Sequence, residues 1–229
     1  MKKITIALDG FSSTGKSTLA KQLAKELGYV YVDTGAMYRG ITYYAMQHDL
    51  VSENHLNKEG LIKELPLISL KFNFNEGLGF AEMYVNGENV EQQIRTIEVS
   101  RLVSKVAEIS EVRAKLVEQQ QAMGKDKGVV MDGRDIGTVV FPDAELKLFM
   151  TASSVTRAQR RYDELIEKGQ QVSFEEVLQN VEERDYIDTH REDSPLVKAD
   201  DAIEIDNSSM SKQEQFDVVI TLVKEKLGK

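Results

Sequence analysis

The sequence predicts an α/β fold in which helices cover both faces of a parallel sheet. Short apolar runs rich in β-branched residues alternate with longer segments whose apolar residues repeat at helical spacing. Consecutive parallel strands need a crossover connection, usually a helix, so this alternation is typical of a parallel sheet. In addition, a loop containing glycines joins the first predicted strand to the first predicted helix.

The first two strand–helix pairs carry this prediction most clearly. Ile4 to Leu8 is a β-rich apolar run. The segment Lys16 to Leu27 places leucine and alanine side chains on one helical face, and Gly28 is a natural C-terminal stop. A second strand is predicted over Tyr29 to Val32, and a second helix from about Ala36 to His48.

The middle of the chain interrupts the alternation. Leu67 to Phe74 and Ala81 to Val85 have the pattern of antiparallel strands, and an Asn-Gly turn follows them. We interpret this piece as an insertion. Two helices are predicted after it, over about Glu98 to Ile109 and Glu111 to Met123.

The parallel pattern resumes in the second half of the chain. Strands are predicted at Val129 to Met131, Leu146 to Met150 and Ala202 to Ile205. Ser173 and Ser211 each precede a glutamate by three residues, which is the spacing of a capping box at a helix start. The sequence shows no internal repeat and no linker rich in Pro, Gly or Ser, so one compact domain with insertions is the simplest interpretation.

Composition limits the possible partners. The 229-residue chain has a formal net charge of -9, which argues against general binding of nucleic acid or anionic membranes. It has 0 cysteines, so disulfides, thiol nucleophiles and cysteine-held zinc are excluded. No stretch approaches the roughly 18 apolar residues of a membrane span, and the first apolar run is too short for a signal peptide. We expect a soluble, cytoplasmic monomer without nucleic-acid or membrane partners.

The strongest functional signal is the segment Gly10 to Ser17, which fits the pattern G-x-x-x-x-G-K-[ST]. Its glycines let backbone N–H groups turn towards phosphates, and the following helix adds its positive dipole end. Lys16 would place a cation on the β- and γ-phosphates, and the Ser17 hydroxyl is suited to bind Mg²⁺. The alternative is a glycine-containing turn with an exposed lysine. The predicted ATP-binding residues of this P-loop are Gly10, Phe11, Ser12, Ser13, Thr14, Gly15, Lys16, Ser17 and Thr18.

A P-loop by itself indicates only a nucleotide-binding protein, because GTPases, motor ATPases and small-molecule kinases share it. A GTPase should carry an N-K-x-D signature late in the chain. The nearest string, Asn57 to Gly60, lacks the aspartate and comes too early. The length and charge do not suggest a nucleic-acid motor, so the other motifs decide.

Two further segments place charged residues at predicted strand ends, where ligands of open parallel sheets bind. Asp33 to Arg39 reads Asp-Thr-Gly-Ala-Met-Tyr-Arg, and Val129 to Ala144 contains Asp-Gly-Arg-Asp-Ile-Gly-Thr. Together with the P-loop and the segment Glu183 to Arg191, they resemble the bacterial cytidylate kinases over essentially the whole chain. The resemblance implies a P-loop NTPase-type fold and a nucleoside monophosphate kinase. Such an enzyme transfers a phosphoryl group from ATP, with Mg²⁺, to CMP and dCMP in pyrimidine metabolism.

The resemblance also assigns roles to individual residues. The expected catalytic residues are Lys16, Arg134, Arg184 and Arg191. The expected CMP-binding residues are Thr34, Arg39, Ser104, Arg113, Arg134, Asp135, Arg184, Asp188 and Arg191. Among these, the matches to the cytosine readers are Ser104, Arg113 and Asp135, and the match to a ribose contact is Asp188. Arg157, Arg160 and Arg161, the lid arginines, fall in what looks like a short lid helix, and Arg157 and Arg161 are expected to bind ATP.

The resemblance divides the single predicted domain, 1–229, into three regions. These are a core of 1–36, 108–152 and 173–229, an inserted monophosphate-binding region of about 37–107, and a lid of about 153–172. The P-loop departs from the family at Phe11, where proline is common, and at Ser12 to Thr14, where glycine or alanine is usual. These side chains can point outward, so we expect phosphate binding to survive; the departure puts the affinity for the donor in question.

Several assignments have simpler alternatives. Arg184 and Arg191 could be solvated helix-end arginines that pair with neighbouring carboxylates. The lid arginines could neutralise Asp163 and Glu164 on an exposed face. Asp135 could be an ordinary turn aspartate, and Ser104 an ordinary helix serine. At the level of function, the alternatives are a kinase of another small acceptor, such as UMP, AMP or shikimate, and a non-catalytic nucleotide-dependent switch.

Overall fold

The computed structural model describes residues 3–77 and 79–228 of the chain. Eighteen strands and α-helices of these residues are used below. In chain order they are β1 (Thr5–Gly10), α1 (Lys16–Leu27), β2 (Val30–Asp33), α2 (Thr34–Gln47), β3 (Val51–Ser52), β4 (His55–Leu56), α3 (Lys58–Glu64), β5 (Leu70–Asn75), β6 (Phe80–Val85), β7 (Glu88–Asn89), α4 (Ile97–Ala107), α5 (Ser110–Met123), β8 (Val129–Asp132), β9 (Leu146–Thr151), α6 (Ser154–Glu167), α7 (Phe174–His190), β10 (Ile203–Asp206) and α8 (Lys212–Leu227).

A five-stranded parallel sheet, in the order β10-β9-β1-β8-β2, confirms the predicted fold class. The central strand β1 is buried along its whole length, as is β8 beside it. Both strands therefore read as continuous apolar runs, which is expected where helices cover a parallel sheet. The P-loop follows β1, while Asp132 and Asp33 end the two strands on one side of it. The polar residues of these three strand ends consequently share one edge of the sheet.

Two compact units divide the described chain between Asp33 and Thr34 and between Gln119 and Gln120. The first unit contains the parallel sheet with α1, α6, α7 and α8. Its core packs apolar side chains of β1, β8 and β9 against leucines and valines of α1 and α8, including Leu23 and Val219.

The second unit, Thr34–Gln119, contains α2, α3, α4 and the antiparallel sheet β5-β6-β7. Its core includes Met37 and Ile41 of α2 and Met83 of β6, all fully buried. Gly40 lets α2 approach the antiparallel sheet closely, since a Cβ at this position would lie 3.2 Å from Cγ2 of Val85. The predicted antiparallel strands are thus confirmed.

Several helix ends lie where the sequence predicted them. Gly28 closes α1 in the left-handed conformation, and Ser173 and Ser211 begin α7 and α8 with complete capping boxes, as predicted. The predicted strand from Leu67 is shorter, because a 3₁₀ turn occupies Leu65–Leu67 and β5 begins at Leu70. Among the helices of the described residues, none is long and apolar enough to cross a membrane.

Candidate active site

The backbone of the P-loop requires glycine at both ends of its turn. Gly10 has φ 138°, and a Cβ there would lie 2.0 Å from the carbonyl oxygen of Met150. Gly15 has φ 90° and forms the N-cap of α1. These glycines let the chain leave the buried end of β1, turn sharply and begin a helix whose N-terminus faces the loop.

Lys16 is held inside the loop rather than in solvent. Its side chain is only 4% exposed, and Nζ donates to the carbonyl oxygen of Gly10 at 2.9 Å and to that of Phe11. Burial lowers the pKa of the Lys16 ammonium, and the nearby Arg134 lowers it further, while the Asp132 carboxylate acts in the opposite direction. The alternative of an exposed lysine on an ordinary turn is therefore wrong.

The Ser17 hydroxyl lies beside a carboxylate that the sequence interpretation missed. Ser17 Oγ donates to Oδ2 of Asp132 at 2.9 Å, and the Tyr31 hydroxyl donates to Oδ1 at 2.9 Å. Burial raises the pKa of the Asp132 carboxyl, and the adjacent Asp33 raises it further. The signal was present in the sequence, because an aspartate that ends a buried strand beside a P-loop strand is the usual partner of the P-loop serine.

Asp9 links the start of the P-loop to the segment that follows β8. Its buried carboxylate accepts from the backbone N–H of Ile136 at 2.8 Å and of Gly137 at 2.7 Å. These residues begin a π-helical turn, Ile136–Val140, immediately after Asp135. Burial raises the Asp9 pKa to about 7, against the lowering effect of the two amides. Asp9 therefore positions the backbone that carries Asp135, a contact between residues 127 positions apart in the chain.

Three of the predicted acceptor-side arginines surround one carboxylate. Arg134 Nε donates to Oδ2 of Asp188 at 2.8 Å, and Arg191 Nη1 lies 3.9 Å from Oδ1. Burial alone would raise the pKa of Asp188, but Arg134, Arg184 and Arg191 outweigh it and hold the pKa below its usual value. Arg191 is 5% exposed and also donates to the carbonyl oxygen of Ser194. It is not a solvated helix-end arginine.

The lid arginines make three different sets of contacts. Arg157 is buried and pairs with Asp185 of α7. Arg160 donates to the side-chain and backbone oxygens of Asn207 at 3.0 and 2.8 Å. Arg161 pairs with Glu164 at 2.9 Å. This contact is the one expected if Arg161 only neutralises a neighbouring carboxylate.

Two of the unusual P-loop residues do not take the outward position that was open to them, because they are buried. Ser12 is 6% exposed and Thr14 is fully buried. Ser13, between them, has φ 58°, a left-handed conformation. Thr14 Oγ1 donates to the carbonyl oxygen of Phe11 at 3.1 Å, and Asn207 Nδ2 donates to the carbonyl oxygen of Thr14 at 2.6 Å.

A cavity of about 560 Å³ opens beside the P-loop within the first unit. It is bounded by the P-loop and α1, by the exposed end of α6, and by the start of α8. Residues lining it include Ser13, Gly15, Thr18, Arg161, Lys212 and Gln215. Its position places polar groups of α6 and α8 beside whatever the P-loop binds.

The remaining predicted acceptor residues belong to the second unit. Thr34, Ser104 and Arg113 are each 2% exposed. Arg113 Nη1 donates to the carbonyl oxygen of Ala107 at 3.3 Å, and its guanidinium lies 5.6 Å from the Tyr38 ring centroid. A buried arginine held against an aromatic ring is unusual for a structural helix position, because burying its charge is costly.

The site combines a P-loop with a buried lysine, a serine–aspartate pair and a nearby group of arginines. These are the active-site groups of a P-loop phosphotransferase. The sequence model of one such family, described as cytidylate kinase, matches residues 6–225. A cytidylate kinase from Flavobacterium johnsoniae is 74% identical over 225 residues, covering 98% of each chain. Another from Bacteroides thetaiotaomicron is 57% identical over 215 residues, covering 94% of each. The chain belongs to the cytidylate kinase family.

The fold itself also has a counterpart among solved structures. An uncharacterized protein from Eubacterium ventriosum matches 98% of this chain with a TM-score of 0.50 and 12% sequence identity, over 99% of its own chain. At this identity the likeness shows a shared fold and nothing about activity.

Proposed function

We propose that the protein transfers the γ-phosphoryl group of ATP to CMP and dCMP, giving ADP with CDP or dCDP. Membership of the cytidylate kinase family supports this proposal. The observation that carries it is the convergence of cations at the P-loop. Burial is the main cause of the lowered pKa of Lys16, and Arg134 and Arg184, expected on the acceptor side, lie close enough to lower it further. These cations repel each other in the protein, and the negative charges of two phosphate-containing substrates would neutralise them.

On the donor side, the P-loop amides and Lys16 would bind the β- and γ-phosphates. Lys16 would exchange its contacts with the Gly10 and Phe11 carbonyls for phosphate oxygens. The cavity beside the loop is a suitable place for the nucleoside of ATP, with Arg161 on its rim. Arg157, on the same helix, would support ATP binding through its contact with the Ser12 carbonyl oxygen of the P-loop.

Ser17 and Asp132 would hold Mg²⁺, either directly or through its water ligands. Their hydroxyl and carboxylate oxygens suit a hard cation, and Ser17 Oγ lies 2.9 Å from the carboxylate. Among the described residues, no cluster of three or more His, Asp or Glu side chains could hold a metal. This fits an ion bound mainly by substrate phosphates and water. The metal would neutralise charge that develops on the transferred phosphoryl group.

On the acceptor side, Arg134, Arg184 and Arg191 would bind the phosphate of CMP and stabilise the transferring group, with Thr34 and Arg39 as further phosphate ligands. Arginine suits this task because its planar fork grips a phosphate in two places and stays charged. The attacking phosphate oxygen is already ionised near pH 7, so the reaction needs no general base. Asp188, held in place by Arg134, would still have carboxylate lone pairs for ribose hydroxyls.

Base choice would depend on Asp135, Arg113 and Ser104. A carboxylate accepts from the N4 amino group of cytosine but meets the O4 oxygen of uracil with like polarity. Arg113 can donate to N3 or O2 of cytosine, whereas uracil presents an N–H at N3. Each mismatch leaves a buried polar group unpaired, at about 1–3 kcal/mol.

Phosphoryl transfer to CMP rather than to water requires water to be excluded. We assign the monophosphate-binding role to about residues 37–107 and the lid role to about 153–172, as the family resemblance implies. Segments with these roles must move during turnover. The chain would act as a cytoplasmic monomer.

A coupled assay of ADP formation tests the proposal with CMP, dCMP, UMP, AMP and shikimate as acceptors. We expect kcat/KM for CMP to exceed that for UMP by roughly 10²- to 10⁴-fold, the range of two hydrogen-bonding mismatches. Equal rates with UMP or AMP would support another small-molecule kinase. ATP consumption that does not respond to any acceptor would support a nucleotide-dependent switch.

A further inference from the structure

Arg157 is the most completely engaged of the lid arginines. Its side chain is 4% exposed, although it lies on α6, whose neighbouring turns reach solvent. Nη1 and Nη2 donate to the two carboxylate oxygens of Asp185 at 3.0 and 2.5 Å, in the bidentate geometry that arginine alone provides. The Asp185 side chain is 19% exposed, so this pair is largely shielded from water.

The same guanidinium also contacts the backbone on both sides of it. Arg157 Nε donates to the carbonyl oxygen of Ala152 at 2.9 Å, immediately after β9. Nη1 donates to the carbonyl oxygen of Ser12 at 3.3 Å, inside the P-loop. One planar group therefore joins the end of β9, the P-loop and α7.

The face of the guanidinium is occupied as well. Cζ of Arg157 lies 5.1 Å from the Phe11 ring centroid, within the range of a cation–π contact. The Phe11 ring meets Phe149 of β9 edge-on, with centroids 6.2 Å apart and the rings at 77°. Phe11 is thereby fixed between a buried strand and a buried cation.

The contacts of Arg157 use four of its five N–H donors: one on Nε, two on Nη1 and one on Nη2. One N–H remains, so the side chain cannot keep these contacts and also grip a phosphate in two places. Phosphate binding through this fork would require breaking the Asp185 pair.

We propose that Arg157 is a positioning residue that fixes the P-loop conformation, with Asp185 and Phe11 as its partners. These three residues form the P-loop clamp. Asp185 orients the fork, and the fork holds Ser12 and the Phe11 ring. The clamp sets the direction of the loop amides before ATP arrives, so part of the entropic cost of ordering the loop is met during folding. The effect on ATP binding rests on the proposed function, but the effect on loop order does not.

The test uses Arg157→Lys, Asp185→Asn and Phe11→Leu, with Gln159→Ala as the control. Lysine at position 157 keeps the positive charge but lacks the planar guanidinium. Asparagine at position 185 keeps the shape of the aspartate but lacks its negative charge. Gln159 lies on the exposed face of α6, where its amide contacts Asp163. The midpoint of thermal unfolding checks that each variant is folded.

The first measurement is amide hydrogen exchange of the P-loop in the protein without nucleotide, where no phosphate contact contributes. We expect faster exchange at residues 12–15 in all three clamp variants and no change in Gln159→Ala. The second is the Kd for ATP by calorimetry, which we expect to rise roughly 10-fold or more in each variant, as one misplaced contact can cause. The Arg157→Lys/Phe11→Leu double variant should lose far less than the product of the two single effects, because both disrupt one unit.

Two results would contradict the proposal. If Arg157→Lys weakens ATP binding while loop exchange stays unchanged and Asp185→Asn binds ATP normally, Arg157 contacts phosphate directly and the clamp is refuted. If the three variants bind ATP as the wild type does, the clamp has no role in donor binding. Neither measurement involves turnover, so a failure of the proposed acceptor specificity would leave both unaffected.

Discussion

Replacing Asp132 by asparagine tests the role of the carboxylate beside Ser17. The carboxylate accepts two hydrogen bonds of 2.9 Å, from Ser17 and Tyr31. The asparagine oxygen can keep one, and the other hydroxyl can rotate to accept from the new amide. Burial raises the pKa of the Asp132 carboxyl, so its negative charge is unfavourable in the folded protein. We therefore expect the free energy of unfolding to change by no more than about 1 kcal/mol, the scale of one hydrogen bond.

The effect on function should be much larger than the effect on stability. Loss of a carboxylate that holds the metal through water or directly lowers metal affinity by about 10- to 100-fold. Loss of one preorganised charge contact lowers kcat by roughly 10²- to 10³-fold. The assay is the rate of ADP formation at saturating ATP and CMP as free Mg²⁺ is varied, with Asp143→Asn, at an exposed position, as the control. A folded Asp132→Asn enzyme with unchanged Mg²⁺ dependence and kcat would refute the assignment.

Three further predictions follow from the P-loop and the base-reading residues. Ser13→Gly should raise the free energy of unfolding in urea by up to about 1 kcal/mol, because Ser13 has φ 58° and a left-handed residue other than glycine is strained. Ser13→Val should lower it. A valine variant more stable than the glycine variant would contradict the claim that Ser13 is strained. Lys16 has its pKa lowered from 10.5 to about 7, so the unfolded chain binds more protons between these values and this residue's contribution to stability rises with pH. ATP phosphates favour the charged form of Lys16, so ATP binding at pH 8 should be accompanied by proton uptake. Calorimetry in buffers of different ionisation enthalpy measures this uptake. If the uptake persists in Lys16→Met, another group takes up the proton. Asp135→Asn should lower kcat/KM for CMP and narrow the gap to UMP, and a constant CMP-to-UMP ratio in a folded variant would remove Asp135 from base reading.

The elements that the sequence predicted well are those encoded locally. The helix over Lys16 to Leu27 was predicted with its observed ends, because its apolar face and its glycine stop are both visible in the sequence. The capping boxes at Ser173 and Ser211 depend on residues three positions apart and were also predicted. Short pieces were missed, including α3 and the two-residue strands of β3 and β4. Segments this short give no periodicity to detect.

The contacts around the P-loop depend instead on long-range packing. The Asp9 carboxylate reaches amides 127 and 128 positions away, and Arg157 reaches the Ser12 carbonyl across 145 positions. No pattern of residue types specifies such pairings. The left-handed conformation of Ser13 is likewise not encoded by residue identity, because serine usually avoids it. Asp132 is the exception, since its position at the end of a buried strand could have identified it.

The central claim is that this P-loop protein transfers a phosphoryl group from ATP to CMP and not to water. ³¹P NMR of the enzyme with ATP, Mg²⁺ and CMP follows every phosphorus species in one experiment. We predict that CDP and ADP form in equal amounts, that inorganic phosphate stays negligible, and that Lys16→Ala slows CDP formation by at least about 10²-fold. Release of inorganic phosphate at a rate independent of CMP, with no CDP, would contradict the claim.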